Sequence, residues 1–242
     1  ESMEGKVHVH RIGWTRKNVK TSDTFTFFFY VAKIFFIPLA ALKAASLHRV
    51  HHFNGMWAMM VYMQFPISIL RVCGVRVPYV VTIQEGDLFR HVFERWYVLP
   101  FRPLLRYGFQ NATVVQAISK YLSEWAYKMG YTGVVEIIPN AANVAHFSQK
   151  FPENVLREVE GVYEKKLGDV FLVTTSRLVY KNAIDDVIRA LPLLPVNVHF
   201  AVLGDGPDED ALKSLADQLA VADRVHFMGH VDTTDLPKYL QT

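Results

Sequence analysis

Apolar and polar positions along this chain fall into two successive blocks with the same rhythm. In the first, Val7-His8-Val9-His10-Arg11-Ile12 alternates and predicts a short strand. A Lys-, Thr- and Ser-rich loop follows, and Asp23 is placed to cap an apolar helix that runs on to the basic segment Leu47–His52. Gly55–Met60 predicts a buried strand or a strand-to-helix turn, and Tyr62–Val72 a helix. Val77–Ile83 is a dense β run that ends in the polar turn Gln84-Glu85-Gly86-Asp87. A second β run, Thr113–Ile118, leads through the capping residue Ser119 into a helix. That helix places Leu122, Trp125, Ala126 and Met129 on one face and stops at Gly130. Val134–Ile138 predicts a further strand, closed by Pro139-Asn140.

After a mixed polar stretch with a helical piece near 153–166, the rhythm restarts. Val170–Thr175 predicts a strand, and Ile184, Val187, Ile188 and Leu191 share a helical face. Val198–Leu203 predicts the next strand and ends in Gly204-Asp205-Gly206-Pro207, with Pro207 expected at the first position of the following helix. Leu212, Leu215, Ala216 and Leu219 share that helix's face, Asp208 and Glu209 lie in its first turn, and Val225–Met228 predicts a third strand. Strands alternating with helices imply the α/β class, with parallel sheets covered by helices on both faces. The expected organisation is two such domains, 1–145 and 146–242, facing a cleft that holds the ligand. Both are expected to be incomplete, as in an internal part of a longer protein.

Composition narrows the partners. A net charge of +3 with no long basic block gives no case for nucleic acid, while the mild basic excess suits phosphate-bearing ligands or an anionic membrane surface. The single cysteine, Cys73, cannot form an internal disulfide, and a cytoplasmic setting fits it. No signal-peptide pattern opens the sequence. Phe25–Leu42 is the most apolar stretch, but it contains Lys33 and Pro38, so a buried or partly exposed helix is the expectation and a surface-lying membrane helix the alternative.

Candidate chemistry gathers at the strand exits. Arg177 follows a strand, where a guanidinium can grip two phosphate oxygens; the bland alternative is a surface pair with Asp185 or Asp186. Lys181 and Asn182 follow, each a candidate phosphate contact, or else a solvated lysine and a helix cap. Gly204 and Gly206 allow close backbone approach. With Glu209 in place of a third glycine they do not make the dinucleotide-binding fingerprint of an oxidoreductase. Gln84, Glu85 and Asp87 crown a strand, where Gln84 could hold a sugar hydroxyl and Glu85 or Asp87 could take a proton or cap the turn. The histidines, cysteine and carboxylates show no metal-ligand spacing. Phe89, Phe93, Trp96, Tyr97, Phe101 and Phe109, with Arg90, Arg95, Arg102 and Arg106, read first as a helix pair packed on the sheet with snorkelling arginines. The alternative is a surface that meets a lipid-linked acceptor at a membrane.

Gly55–Met60, Pro78–Asp87, Ala117-Ile118-Ser119 through Ile138-Pro139-Asn140, Ser176-Arg177-Leu178 and Gly204-Asp205-Gly206-Pro207 together resemble, in order and spacing, the nucleotide-sugar glycosyltransferases of family 4. The resemblance implies the GT-B architecture of two Rossmann-like domains, acceptor side first and donor side second. It implies transfer of a sugar from a UDP- or GDP-linked donor to a glycan or lipid-linked acceptor hydroxyl, with retention and without a metal ion or other cofactor. The implied site at the inner face of the membrane has Arg177 with Lys181 or Asn182 on the diphosphate. Gly204 lines the donor side, and backbone at Met228 and Val231 meets the base. Glu85 and Gln84 are the candidate catalytic positions, Glu85 on its own chemistry at the strand exit. Family members commonly have a histidine where Gln84 stands, and a Lys-Gly pair where Asn182-Ala183 stands. A glutamate-bearing loop is implied beyond Thr242, so residues 1–242 alone are expected not to turn over. A non-catalytic nucleotide-binding module and a sugar-nucleotide epimerase of the same shape are the alternatives.

Overall fold

The computed structural model of the protein describes residues 2–13 and 27–241. The expected Asp23 cap lies outside them. The chain forms two compact units, Glu1–Ala141 and Ala142–Thr242.

The first unit opens with an antiparallel ribbon of β1 (Ser2–Glu4) and β2 (Val7–Val9), followed by the long helix α1 (Phe27–His51). Among the described residues no helix is long and apolar enough to cross a membrane. The unit then runs β3 (Met56–Met59), α2 (Gln64–Val72), β4 (Tyr79–Ile83), α3 (Phe89–Phe93), α4 (Arg102–Gln110), β5 (Val114–Ala117), α5 (Lys120–Lys128) and β6 (Val135–Ile137). The strands β3 to β6 form a parallel sheet in the order β3-β4-β5-β6, with Val81 opposite Val115 and Val115 opposite Val135. β4 is central, so Tyr79, Val81, Thr82 and Ile83 are all buried and the run lacks clean alternation. Helices supply the rest of the core through Phe93, Leu105, Phe109, Trp125 and Met129. Ser119 caps α5 by accepting from the Leu122 amide at 3.2 Å.

The second unit contains α6 (Val144–Phe147), α7 (Glu153–Val162), β7 (Val170–Thr175), α8 (Ile184–Ala190), β8 (Val198–Leu203), α9 (Glu209–Gln218), β9 (Val225–Gly229) and α10 (Leu236–Tyr239). Its sheet is parallel in the order β7-β8-β9. The alternation along β8 builds two cores. Phe200 and Val202 face Leu178, Ile188, Leu191, Leu212 and Ala216 on the α8/α9 side. Ala201 and Leu203 face Val159 and Tyr163, joined by Met228, Val231 and Tyr239, on the α7/α10 side. Both faces of the sheet are thus covered by helices.

Three local expectations are corrected. α9 begins at Glu209, so Pro207 lies in the preceding turn rather than at its first position. α7 ends at Val162, because the chain turns left-handed at Glu164 (φ 54°). The aromatic and arginine run 88–109 is not one packed helix pair. Phe93 and Phe109 are buried in the core, but Trp96, Tyr97 and Phe101 are exposed.

Candidate active site

The carboxyl edge of the second sheet assembles the predicted donor residues through backbone chemistry. Leaving β7, the segment Ser176-Arg177-Leu178 lies directly against the turn that leaves β8. The Leu178 amide donates to the Asp205 carbonyl at 2.8 Å, and the Asp208 amide donates to the Leu178 carbonyl at 3.2 Å. The Gly204 amide donates to the Gly229 carbonyl at 2.7 Å, tying in the exit of β9. A Cβ on Gly204 would stand 2.1 Å from the Ser176 carbonyl oxygen, and one on Gly206 would stand 2.2 Å from that of Leu178. Only glycine fits at either position. The close approach that these glycines permit is to the neighbouring loop. Leu178 is fully buried beneath the junction and pegs it to the core.

On this platform Arg177 projects outward. Its guanidinium is exposed and makes no ion pair among the described residues. The pairing with Asp185 or Asp186 does not occur, since Asp185 lies 3.8 Å from Arg189 one helical turn on. Asn182 donates its side-chain amide to the Arg177 carbonyl at 2.6 Å, closing the loop that carries the arginine. Ala183 then adopts the left-handed conformation, φ 54° and ψ 36°, before α8 starts at Ile184. The backbone here asks for glycine, and alanine stands in its place. Lys181, in the intervening 3-10 turn Tyr180–Asn182, is exposed. Met228 and Val231 turn their side chains into the α7/α10 core, which leaves their backbone as the part that could read a ligand.

A groove of about 300 Å³ between α8 and α9 is lined by Tyr180, Ile184, Leu212 and Leu215, with Asp185 and Asp208 at its wall. Arg189 also lines it and pairs with Asp185, which leaves Asp208 as its unbalanced charge and makes it a poor host for a diphosphate.

Gln84 and Glu85 crown β4 in the first unit. Glu85 accepts from the Val61 amide through Oε1, and from the Gln84 amide through Oε2 at 2.9 Å. Burial pushes its carboxyl above the ordinary carboxylate range, and the backbone donors of Val61, Glu85 and Gln84 oppose that shift. Glu85 therefore binds the exit of β4 to the turn after β3, where Met60 sits at φ 73°. Gln84 is half-buried beside it. Neither the Asn182 clamp nor the Glu85 bridge was foreseen from sequence. Spacings of five and 24 residues carry no periodic signal. Among the described residues, no group of three His, Cys, Asp or Glu side chains is placed to hold a metal ion.

A parallel sheet with its loops drawn together at the carboxyl edge defines a nucleotide-binding class of fold. Residues 157–242 match the family described as Glycosyl transferases group 1. A GDP-mannose-dependent alpha-(1-6)-phosphatidylinositol monomannoside mannosyltransferase of Mycobacterium tuberculosis is 33% identical over 151 residues, covering 60% of this chain. The chain spans 38% of that relative's length. Among solved structures, Anabaena HepE in complex with UDP superimposes with a TM-score of 0.65 at 19% identity, covering 83% of this chain and 53% of that one. Sucrose-phosphate synthase from Thermosynechococcus elongatus gives 0.67 at 14% identity, covering 84% and 52%. The match to the group 1 glycosyltransferases thus lies within the second unit, and the fold is that of GT-B enzymes.

Proposed function

We propose that this chain forms the donor-gripping part and acceptor-side part of a retaining hexosyltransferase. The enzyme moves a sugar from a UDP- or GDP-linked donor to a hydroxyl of a glycan or lipid-linked acceptor, working in the cytoplasm at the inner face of the membrane. The observation that carries the reading is Arg177, an exposed guanidinium without an ion-pair partner among the described residues, on a loop fixed by backbone bonds at the carboxyl edge of the sheet. The match of residues 157–242 to the group 1 glycosyltransferases supports it. So do the GDP-mannose dependence named for the mycobacterial relative and the UDP bound by the Anabaena neighbour.

In this reading Arg177, with Lys181, takes up the negative charge that grows on the diphosphate as the glycosidic bond breaks, without recourse to a metal ion. Asn182, its amide given to the Arg177 carbonyl, positions that cation. Gly204 shapes the wall, and backbone at Met228 and Val231 meets the base. On the acceptor side Gln84 holds a sugar hydroxyl. Glu85 sets the turn that presents Gln84, and its raised pKa leaves it suited to accept a proton.

Calorimetric titration of the chain with UDP and with GDP tests the donor site. Arg177→Ala should weaken nucleotide-diphosphate binding by about tenfold to a hundredfold, the loss of one charge-assisted contact, and Arg177→Lys should restore part of it. Unchanged binding by Arg177→Ala would remove the assignment. The commitment of Asn182 to backbone also favours a second reading, a module that binds nucleotide without transfer. Donor binding with neither hydrolysis nor transfer by the whole protein would favour that reading.

A further inference from the structure

The segment between α3 and α4 presents large apolar side chains to solvent on a built support. Trp96 is 83% exposed, Phe101 56% and Leu99 46%, and Leu88, just before α3, is 52% exposed. This is not a loose loop whose side chains failed to find the core. Val98, in its middle, is 5% exposed and packs into the core of the first unit, and its amide donates to the Arg95 carbonyl at 2.8 Å. The Phe101 amide in turn donates to the Val98 carbonyl at 2.9 Å. With Val98 as the peg, Trp96 and Tyr97 on one side and Leu99 and Phe101 on the other are held outward. The rings of Trp96 and Tyr97 meet edge to face at 5.7 Å.

Cations accompany these side chains along the segment. Leu88–Arg106 contains Arg90, Arg95, Arg102 and Arg106 and a single carboxylate, Glu94. Glu94 lies 3.9 Å from Arg102, and Arg95 donates to the Tyr97 hydroxyl at 2.8 Å, which keeps its charge beside the aromatic pair. Asp87, just outside the segment, faces Arg95 and adds a second carboxylate. Arg90 and Arg106 are exposed and make no ion pair among the described residues. The excess along the segment is positive.

We propose that Leu88–Arg106 docks on an anionic lipid surface, with Trp96, Leu99 and Phe101 entering the headgroup boundary and the arginines pairing with lipid phosphates. Tryptophan, tyrosine and phenylalanine beside arginine are the chemistry that boundary favours. A second copy of the chain related by a two-fold axis would bring the same four arginines face to face, which opposes a self-complementary interface. A covering protein segment would have no use for the cations. The inference rests on the membrane-side setting proposed above and deepens it by naming the surface that meets the lipid.

The test uses the whole chain and vesicles, with no nucleotide present, so its outcome is independent of the donor-site reading. The chain should co-sediment with vesicles of phosphatidylcholine and phosphatidylglycerol, weakly or not at all with phosphatidylcholine alone, and less at high salt. Trp96→Ser with Phe101→Ser, and separately Arg90→Gln with Arg106→Gln, should each lower partitioning by about tenfold or more. Phe101 also meets the buried Phe65 edge to face at 6.4 Å, so Trp96→Ser alone and the arginine pair, all at exposed positions, are the variants whose thermal melting curve should stay unchanged, which separates lost docking from lost fold. Absence of binding to the anionic vesicles overturns the proposal. Undiminished binding by both double variants does the same, as does concentration-dependent self-association that the Trp96 variant abolishes in a chain that ignores vesicles.

Discussion

At Ala183 a residue with a Cβ holds a left-handed conformation between a 3-10 turn and α8. For a non-glycine residue that conformation costs about 1–2 kcal/mol, part of which glycine returns as extra freedom of the unfolded chain. Ala183→Gly should therefore raise stability by about 0.5–1 kcal/mol, seen as a higher urea midpoint, while Ala183→Val should lower it. The glycine that the family resemblance implies at this position has the same cause, so the departure from pattern was visible in the sequence but its strain was not. Glu85 shows the reverse. It was legible as a carboxylate at a strand exit, but its partners were not, because the Val61 amide lies 24 residues earlier. Glu85→Ala leaves two backbone donors without their acceptor and should cost about 1–3 kcal/mol, measurable in the same unfolding experiment. A change below a few tenths would mean that water replaces the carboxylate.

Among the elements, strands were legible wherever a run was buried on both faces, as in Val198–Leu203, and boundaries slipped where turn chemistry decided them, as at Pro207 and Glu164. A pair of histidines on β8 and β9 escaped the sequence reading entirely, because adjacency across a sheet has no local signature. His199 Nδ1 lies 3.1 Å from His226 Nε2, and Phe171 stacks on His199 with ring centroids 5.1 Å apart. Burial, and then the neighbouring His199, lower the pKa of His226 from its usual 6.5, while Glu164, Asp169 and Asp223 pull the other way. One ring must accept the proton that the other donates, so the contact needs at least one neutral imidazole. The folded state binds this proton less well than the unfolded chain. Stability from this group is therefore complete above about pH 6.5 and declines as pH falls from there through the lower native pKa. Urea midpoints at pH 7.5, 6.5 and 5.5 should fall in that order, and His226→Phe should flatten the decline. An equally steep decline in the variant would place the proton elsewhere.

Across the whole molecule, the fold class and the two-unit organisation followed from alternation of strand and helix patterns. The proposed donor edge rests on two strand exits, one with a cation and one with glycines. What the pattern could not convey was how those exits are joined: backbone against backbone at Ser176–Gly204 and Leu178–Gly206, with Arg177 left facing solvent. The orders β3-β4-β5-β6 and β7-β8-β9 carry a further consequence, since among the described residues every strand after the first in each parallel sheet pairs with its immediate predecessor along the chain. Each hairpin-free βα step can therefore add to an edge that already exists when it leaves the ribosome, and no strand has to wait for a later one to be inserted beside it. Each sheet can assemble in the direction of translation, with short loop closures at every stage.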